Sequence, residues 1–273
     1  MNLVQAAVLG VVQGLTEFLP ISSTAHLRIV PAILGWPDPG AAFTAVIQLG
    51  TMLAILVYFW REISRITVAW TRGLVNREVR SSLEARMGWY VIFATIPIGL
   101  IGLAFSDQIE TGARNLWLIG AALIALALVM LLADRTGTRA RGEKDLTLRD
   151  GLLVGLAQAA ALVPGVSRSG STITAGLFLG LQREAAARFS FLLSIPAVVL
   201  SGLFELRKIG DSGGPGLAAT AVATLLAFGS GIASIRWLLH YLARHSTAVF
   251  AGYRVIVGLF ILSLLGSGLL AAT

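Results

Sequence analysis

The sequence predicts an all-α integral membrane protein in which six transmembrane helices and two re-entrant helical hairpins form an inverted repeat. Three observations carry that expectation: an apolar composition, two polar breaks inside apolar segments, and a likeness between the two halves of the chain. Of 273 residues, 56% are hydrophobic and 13% charged, about half the charged share of an ordinary soluble domain. Mean hydropathy is +0.82. Several windows stay apolar for the roughly 20 residues that a helix needs to cross the hydrocarbon core. A single membrane domain, residues 1–273, is expected, with no soluble domain beside it.

In chain order, an interrupted segment at 3–34 comes first, followed by candidate spans at 41–60, 87–105 and 115–133. A second interrupted segment at 151–182 precedes spans at 187–205, 217–236 and 249–270. The interruptions read "LPISST" and "VPGVSRSGST". Each half of an interrupted segment is too short to span. Irregular backbone survives at membrane depth only where it is buried in protein or meets water, so both segments read as re-entrant hairpins. The first apolar stretch has no basic n-region and no small-residue cleavage site, and reads as mature chain. With no cysteines, disulfides, thiol catalysis and zinc–thiolate sites are excluded.

The halves, 1–134 and 149–273, each hold one hairpin and three spans. Setting Pro20 against Pro164 sets Ser23 against Ser167, and "FTAVIQLGTMLAILVYFWR" matches "FSFLLSIPAVVLSGLFELR" in length, opening Phe and closing Arg. Three spans is an odd number, so the second repeat runs inverted, the plan of many transporters, whose sites lie where the repeats meet. Charge supports the plan. If the first hairpin enters from one side, the segments at 61–86, 134–150, 181–188 and 236–248 share the opposite side and carry fifteen basic residues. The first side carries three, Arg114, Arg207 and Lys208. The positive-inside rule makes the basic side cytoplasmic. It also accounts for the net charge of +7, so nucleic acid is not an expected partner.

Candidate chemistry gathers at the breaks. Glu17 stands among apolar neighbours one turn after Gln13, and at i and i+4 the two side chains share a face where they can converge on a cation or lock a packed pair. Ser22, Ser23 and Thr24 follow Pro20 and resemble a helix N-cap; His26 lies three residues after Ser23, and a hydroxyl beside an imidazole is a minimal nucleophile and base. In "PGVSRSGST" a Gly- and Ser-rich loop opens a helix whose first N–H groups and dipole suit an anion. Arg168, in its middle, offers a planar fork to a phosphate or carboxylate. A salt bridge from Arg168 to Glu17 could join the hairpins at rest and be exchanged for substrate and metal. The tryptophans read as interfacial anchors, His240 and His245 as solvated. Gly99, Gly102 and the glycines of "FGSGIAS" read as helix-packing positions.

The stretches "GVVQGLTEFLPISSTAHL" and "LVPGVSRSGSTITAGLFLG" resemble the two signature motifs of the undecaprenyl-diphosphate phosphatases, the bacitracin-resistance family of the bacterial inner membrane. Order and spacing agree along nearly the whole chain. The resemblance implies removal of the terminal phosphate of undecaprenyl diphosphate to regenerate the carrier lipid of cell-wall synthesis, at a site facing the periplasm and with a divalent cation, magnesium or calcium. It places the first motif's metal-binding pair on Gln13 and Glu17 and the implicated serine, histidine and arginine on Ser23, His26 and Arg168. The phosphate loop falls on Ser167, Arg168, Ser169, Gly170 and Thr172. Ala25 departs from the glycine that many members carry there. The partners implied are a polyprenyl diphosphate lipid and the bilayer, with a homodimer left open. Ser23 activated by His26 is one expected route, and direct attack by water with His26 as base is the other. The rival class is an inverted-repeat transporter or flippase for an anionic or lipid-phosphate substrate, which would have no evident need for Ser23 and His26 together.

Overall fold

The computed structural model describes residues 1–105, 115–206 and 216–272, and side chains except at 41–42 and 200–206. Arg114, Arg207 and Lys208, which carry the charge of the less basic side, lie outside the described residues.

Among the described residues the fold is helical, with one isolated bridge, Arg141 to Leu181, in place of any strand. The first interrupted segment folds as α1 (Leu3–Phe18) and α2 (Ser23–Leu34), the one opened by an Asn2–Gln5 capping box and the other closed by Gly35 at φ 64°. The candidate spans appear as α3 (Gly40–Tyr58), α6 (Leu83–Ala104), α7 (Leu116–Thr136), α10 (Arg183–Leu206), α11 (Leu217–Leu242) and α12 (Ala248–Gly266). The second interrupted segment folds as α8 (Leu148–Ala159), a 3-10 turn at Ala160–Leu162, and α9 (Arg168–Phe178). Among the described residues four helices, α6, α7, α11 and α12, are long and apolar enough to cross a membrane, and α3 makes a fifth span if counted with the helix after it. The protein is a multi-pass membrane protein.

That following helix corrects one expectation. Residues 61–86, read only as a charged loop, contain α4 (Trp60–Val75) and the short α5 (Arg77–Arg80). Glu62, Ile66, Ala69 and Gly73 line one face of α4 at helical spacing and turn inward, while Arg61, Arg65 and Arg72 turn out. It leaves α3 at 74°, which suits an amphipathic helix lying along a membrane surface.

Close helix contacts are made by glycines other than those expected. α1 lies on α11 through Gly10 and Gly14, where a Cβ would stand 2.7 Å from Ala223 Cα and 2.7 Å from Gly231 N. α8 lies on α6 through Gly151 and Gly155 in the same i, i+4 pattern, a Cβ meeting Tyr90 Cβ at 3.2 Å and Ala94 Cα at 2.5 Å. Small residues at this spacing let backbones approach where the lipid itself offers no hydrophobic drive. Of the glycines singled out from sequence, only Gly231 is tightly enclosed; Gly99 and Gly229 face nothing within 4 Å and Gly102 only Leu162 at 3.7 Å.

The connection between the halves is fixed by ion pairs. Asp150 opens α8 in a capping box with Thr147 and takes a bidentate fork from Arg141, at 3.0 and 2.5 Å. Asp134, buried at the end of α7, accepts from Arg183 Nε at 2.6 Å and from the Thr247 N–H at 3.2 Å. Arg188 on α10 pairs with Glu62 of α4 and reaches Glu143 at 3.4 Å.

Candidate active site

Both breaks have a local cause. Pro20 lacks an N–H and disfavours helical backbone at Leu19, which turns extended at ψ 141° and ends α1. The chain re-enters helix at Ser22, whose Oγ accepts from Ala25 N at 3.4 Å, and in the second break at Ser167, whose Oγ accepts from Gly170 N at 3.1 Å. Both serines hold positive φ, 75° and 77°, a region that costs a non-glycine residue on the order of 1 kcal/mol or more and tends to mark functional sites. The matching caps shift the internal alignment by one: Ser22, not Ser23, corresponds to Ser167, and Pro20 to Gly165. The second break carries one more residue between proline and cap, which the alignment of the two prolines could not show.

The breaks meet at Glu17. Its Oε2 accepts from Gln13 Nε2 at 3.1 Å and from Ser23 Oγ at 2.6 Å, while Oε1 pairs with Arg168 and faces Gln48 Nε2 at 3.4 Å. One carboxylate thus collects donors from α1, α2, α3 and α9. Gln13 lies 3.5 Å from Thr51 Oγ1, and its own Oε1 is buried with no hydrogen-bond partner among the described residues. Gln48 and Thr51 are not among the residues expected from sequence. The signal is a polar Gln and Thr in the apolar run "AVIQLGTMLAIL", which leave the hydropathy of the span nearly unchanged.

The loop hydroxyls serve the hairpins more than an open cradle. Ser169 Oγ shares a hydrogen bond with Ser167 Oγ at 3.1 Å and donates to Leu19 O at 3.0 Å, tying the second break to the first. Thr172 Oγ1 bonds Arg168 O at 2.7 Å and Ser190 Oγ at 2.6 Å, turned toward α10. Gly170 lies close under the cap: a Cβ there would stand 3.2 Å from Ser167 Cβ and 2.9 Å from Leu126 Cδ2, a side-chain end free to shift. Of the five loop residues, Arg168 alone faces the carboxylate and Ser169 alone faces the other break.

His26 is not brought to Ser23. Its Nδ1 lies 2.7 Å from Ser22 O and its Nε2 2.7 Å from Tyr253 Oη, with the two rings stacked at 5.6 Å and 10°. The Ser23 hydroxyl points to Glu17 instead, so the expected Ser23–His26 contact is absent in this arrangement.

Arg254 on α12 is a third residue that sequence reading missed. Fully buried, it donates to Leu123 O at 3.1 Å, Ala122 O at 3.3 Å, Pro20 O at 3.1 Å and Gly165 O at 2.9 Å. The last two are the equivalent carbonyls of the two breaks. One guanidinium pins both hairpins to α7 and to each other, using the fork of donors that a lysine lacks.

Charged and hydroxyl side chains gathered where two broken helices meet, inside a bundle of apolar helices, define a multi-pass membrane protein with a buried polar cluster. The family described as bacitracin resistance protein BacA matches residues 6–260, and the chain belongs to it. It is 52% identical to an undecaprenyl-diphosphatase of Nocardia farcinica (strain IFM 10152) over 309 residues, covering 100% of this chain and 99% of the relative. It is 52% identical to one of Chloroherpeton thalassium (strain ATCC 35110 / GB-78), covering 100% of both chains, and 54% identical to one of Mycobacterium sp. (strain KMS), again over 100% of both.

Proposed function

We propose that the protein hydrolyses undecaprenyl diphosphate to undecaprenyl phosphate and inorganic phosphate, recycling the carrier lipid for cell-wall synthesis and giving bacitracin resistance. The observation that carries the site's part in this is the Glu17–Arg168 pair with Ser23 on the same carboxylate: a nucleophile, a proton acceptor and an anion-binding fork within one hydrogen-bonded set. An incoming diphosphate takes the Arg168 fork, leaving Glu17 with Ser23. Ser23 Oγ attacks the terminal phosphorus as its proton passes to Glu17, the bond from phosphorus to the bridging oxygen breaks, and Arg168 stabilises the charge that develops. Undecaprenyl phosphate leaves as its anion, and Glu17 keeps the proton. Water then attacks the phosphorus held on Ser23, one of its protons passing to His26; the bond from phosphorus to Ser23 Oγ breaks, Ser23 Oγ takes back the proton held by Glu17, and inorganic phosphate leaves.

The donor set fits a divalent cation. Glu17 offers a carboxylate and Gln13 the buried, unpartnered Oε1, while no cluster of three or more His, Cys, Asp or Glu side chains exists among the described residues. That suits magnesium or calcium, hard ions that leave most positions to water and substrate phosphate oxygens. When bound there, such an ion would supply neutralisation of charge on the diphosphate.

The architecture we infer is six spans and two re-entrant hairpins in an inverted repeat, the first at 1–134 and the second at 149–273, with the site open to the periplasm. Three features support it. The caps at Ser22 and Ser167 and the carbonyls of Pro20 and Gly165 correspond. The glycine pairs set α1 on α11 as α8 sits on α6. Three residues beyond Gly14 stands Glu17, and three beyond Gly155 stands Gln158, fully buried, so the repeats share a frame and differ in charge. Orientation rests on the positive-inside bias: a cysteine at Ser267 should react with an impermeant maleimide in intact cells and one at Ser81 should not, and the reverse pattern overturns it.

Phosphate release from a prenyl diphosphate by detergent-purified protein, with and without chelator, tests the function. No compartments exist in that assay, so a transporter gives no signal, and wild-type protein that releases no phosphate ends the proposal.

A further inference from the structure

We infer that Tyr253 is a positioning residue of this site, the group through which His26 exchanges its proton. The inference rests on the reading of His26 as the proton carrier of the second step. It starts from the chemical inequality of the two partners of the ring. A backbone carbonyl only accepts, so Ser22 O, 2.7 Å from Nδ1, keeps the hydrogen on Nδ1 whatever the charge of the ring. Nδ1 is closed to proton traffic. All exchange passes through Nε2, and the partner of Nε2 is the Tyr253 hydroxyl at 2.7 Å.

A hydroxyl suits that place because it both donates and accepts. With neutral imidazole the phenol donates to Nε2; with imidazolium it accepts from Nε2–H. The ring keeps one position in both states, held by stacking at 5.6 Å and by the Ser22 carbonyl. A proton reaches the ring when Tyr253 Oη takes one from water as the phenol's own proton moves to Nε2; the phenol ends neutral and the water loses one proton. His26 is 6% exposed and Tyr253 42%, so the tyrosine is the member of the pair that meets the surroundings. Its place over His26 follows from its neighbour: Arg254, bonded to four carbonyls, fixes the rotation and height of α12.

Tyr253→Phe keeps the stacked ring and removes only the hydroxyl. In the phosphate-release assay kcat should fall on the order of 10-fold or more with KM changed less than twofold, the pattern of a lost proton-transfer partner. On a His26→Ala background the same substitution should change nothing. Undiminished kcat in Tyr253→Phe, or an equal loss on the His26→Ala background, overturns the inference. A second arm does not depend on turnover. With 15N-labelled histidine in detergent, the His26 signals are those missing from His26→Ala, and Tyr253→Phe should move Nε2 while leaving Nδ1 in place. An unmoved Nε2 overturns the inference even if the enzyme is active, whereas wild-type protein without phosphatase activity but with a shifted Nε2 removes the proposed function and leaves the hydrogen bond standing.

Discussion

Arg168 and Arg254 are two guanidiniums within apolar helical surroundings, and the protein uses them in opposite ways. Arg254 is fully buried and satisfied by four backbone carbonyls that cannot leave. Arg168 keeps 19% of its side chain exposed and is satisfied by one carboxylate, a partner that a phosphate can replace in kind. An arginine bonded to backbone is a fixed part of the scaffold, whereas one bonded to a single anion in a polar break is poised for exchange. The helices around them follow the same division: α7 and α12 receive the fixed arginine, and α2 and α9, both opened by serine caps of positive φ, carry the side chains of the proposed chemistry.

The largest effect should come from the fixed arginine. Arg254→Leu strands buried carbonyls in both breaks, and losing one side of a buried polar set costs roughly 3–5 kcal/mol. The melting midpoint in detergent and phosphate release should therefore fall together. A variant of normal stability that has lost activity would move Arg254 from scaffold to chemistry and erase the contrast.

Next comes the partner of the exchangeable one. Glu17→Gln keeps volume and removes the charge that would receive the Ser23 proton in the proposed step, so turnover should fall about 1,000-fold or more while melting falls less than in Arg254→Leu, because Arg168 keeps 19% of its side chain exposed. Near-normal turnover across a metal titration would take the carboxylate out of the mechanism.

Arg168→Lys sharpens the comparison further. It preserves charge and loses the fork. If Arg168 grips a phosphate bidentately, kcat/KM should drop about 10-fold. A nearly normal lysine variant would make Arg168 a structural partner of Glu17 only.

Much of this was legible in the sequence, for physical reasons that also mark where legibility ends. The six apolar runs became six helices with ends displaced by a few residues, because a continuous apolar stretch leaves the backbone no alternative at that length. The breaks were legible because proline and clustered hydroxyls are costly inside apolar helices, and Gln13, Glu17, Ser23 and Arg168 did converge. Gln48 and Arg254 were missed because one polar residue inside a span leaves its hydropathy nearly unchanged; their meaning lies in tertiary partners such as Pro20 O and Gly165 O, remote in sequence. The pairing of His26 failed for the same reason: proximity of three residues suggested Ser23, while the partner that holds Nε2 is Tyr253 on the last helix. Helix α4 was not legible because Arg61, Arg65 and Arg72 interleave with its inward stripe of Ile66, Ala69 and Gly73 and give the segment the composition of a charged loop.

A third arginine extends the contrast outside the membrane, with the smallest expected effect. Arg141 forks Asp150 at the mouth of the second hairpin, and Thr147 adds hydrogen bonds from its N–H at 2.8 Å and its hydroxyl at 2.7 Å. Burial pushes the Asp150 carboxyl up, but the bonds from Arg141 and Thr147 prevail and hold it below its ordinary value of 3.8. A carboxylate lowered in the folded state adds stability that is present above its unfolded pKa of about 3.9, and loses it as the pH falls through the folded value. Asp150→Asn keeps an oxygen for the Thr147 N–H and removes the charge. It should cost about 1 kcal/mol at pH 7, a midpoint drop of roughly 2–4 °C. Between pH 8 and 5 that gap should be constant, and below about pH 4 it should begin to narrow, closing as the pH falls through the lowered folded-state pKa. Melting of both proteins in detergent at pH 7.5, 5 and 3.5 reads it directly. A gap that stays the same size at pH 3.5 would mean that Asp150 serves through shape alone, and that Arg141, unlike Arg168, needs no anion.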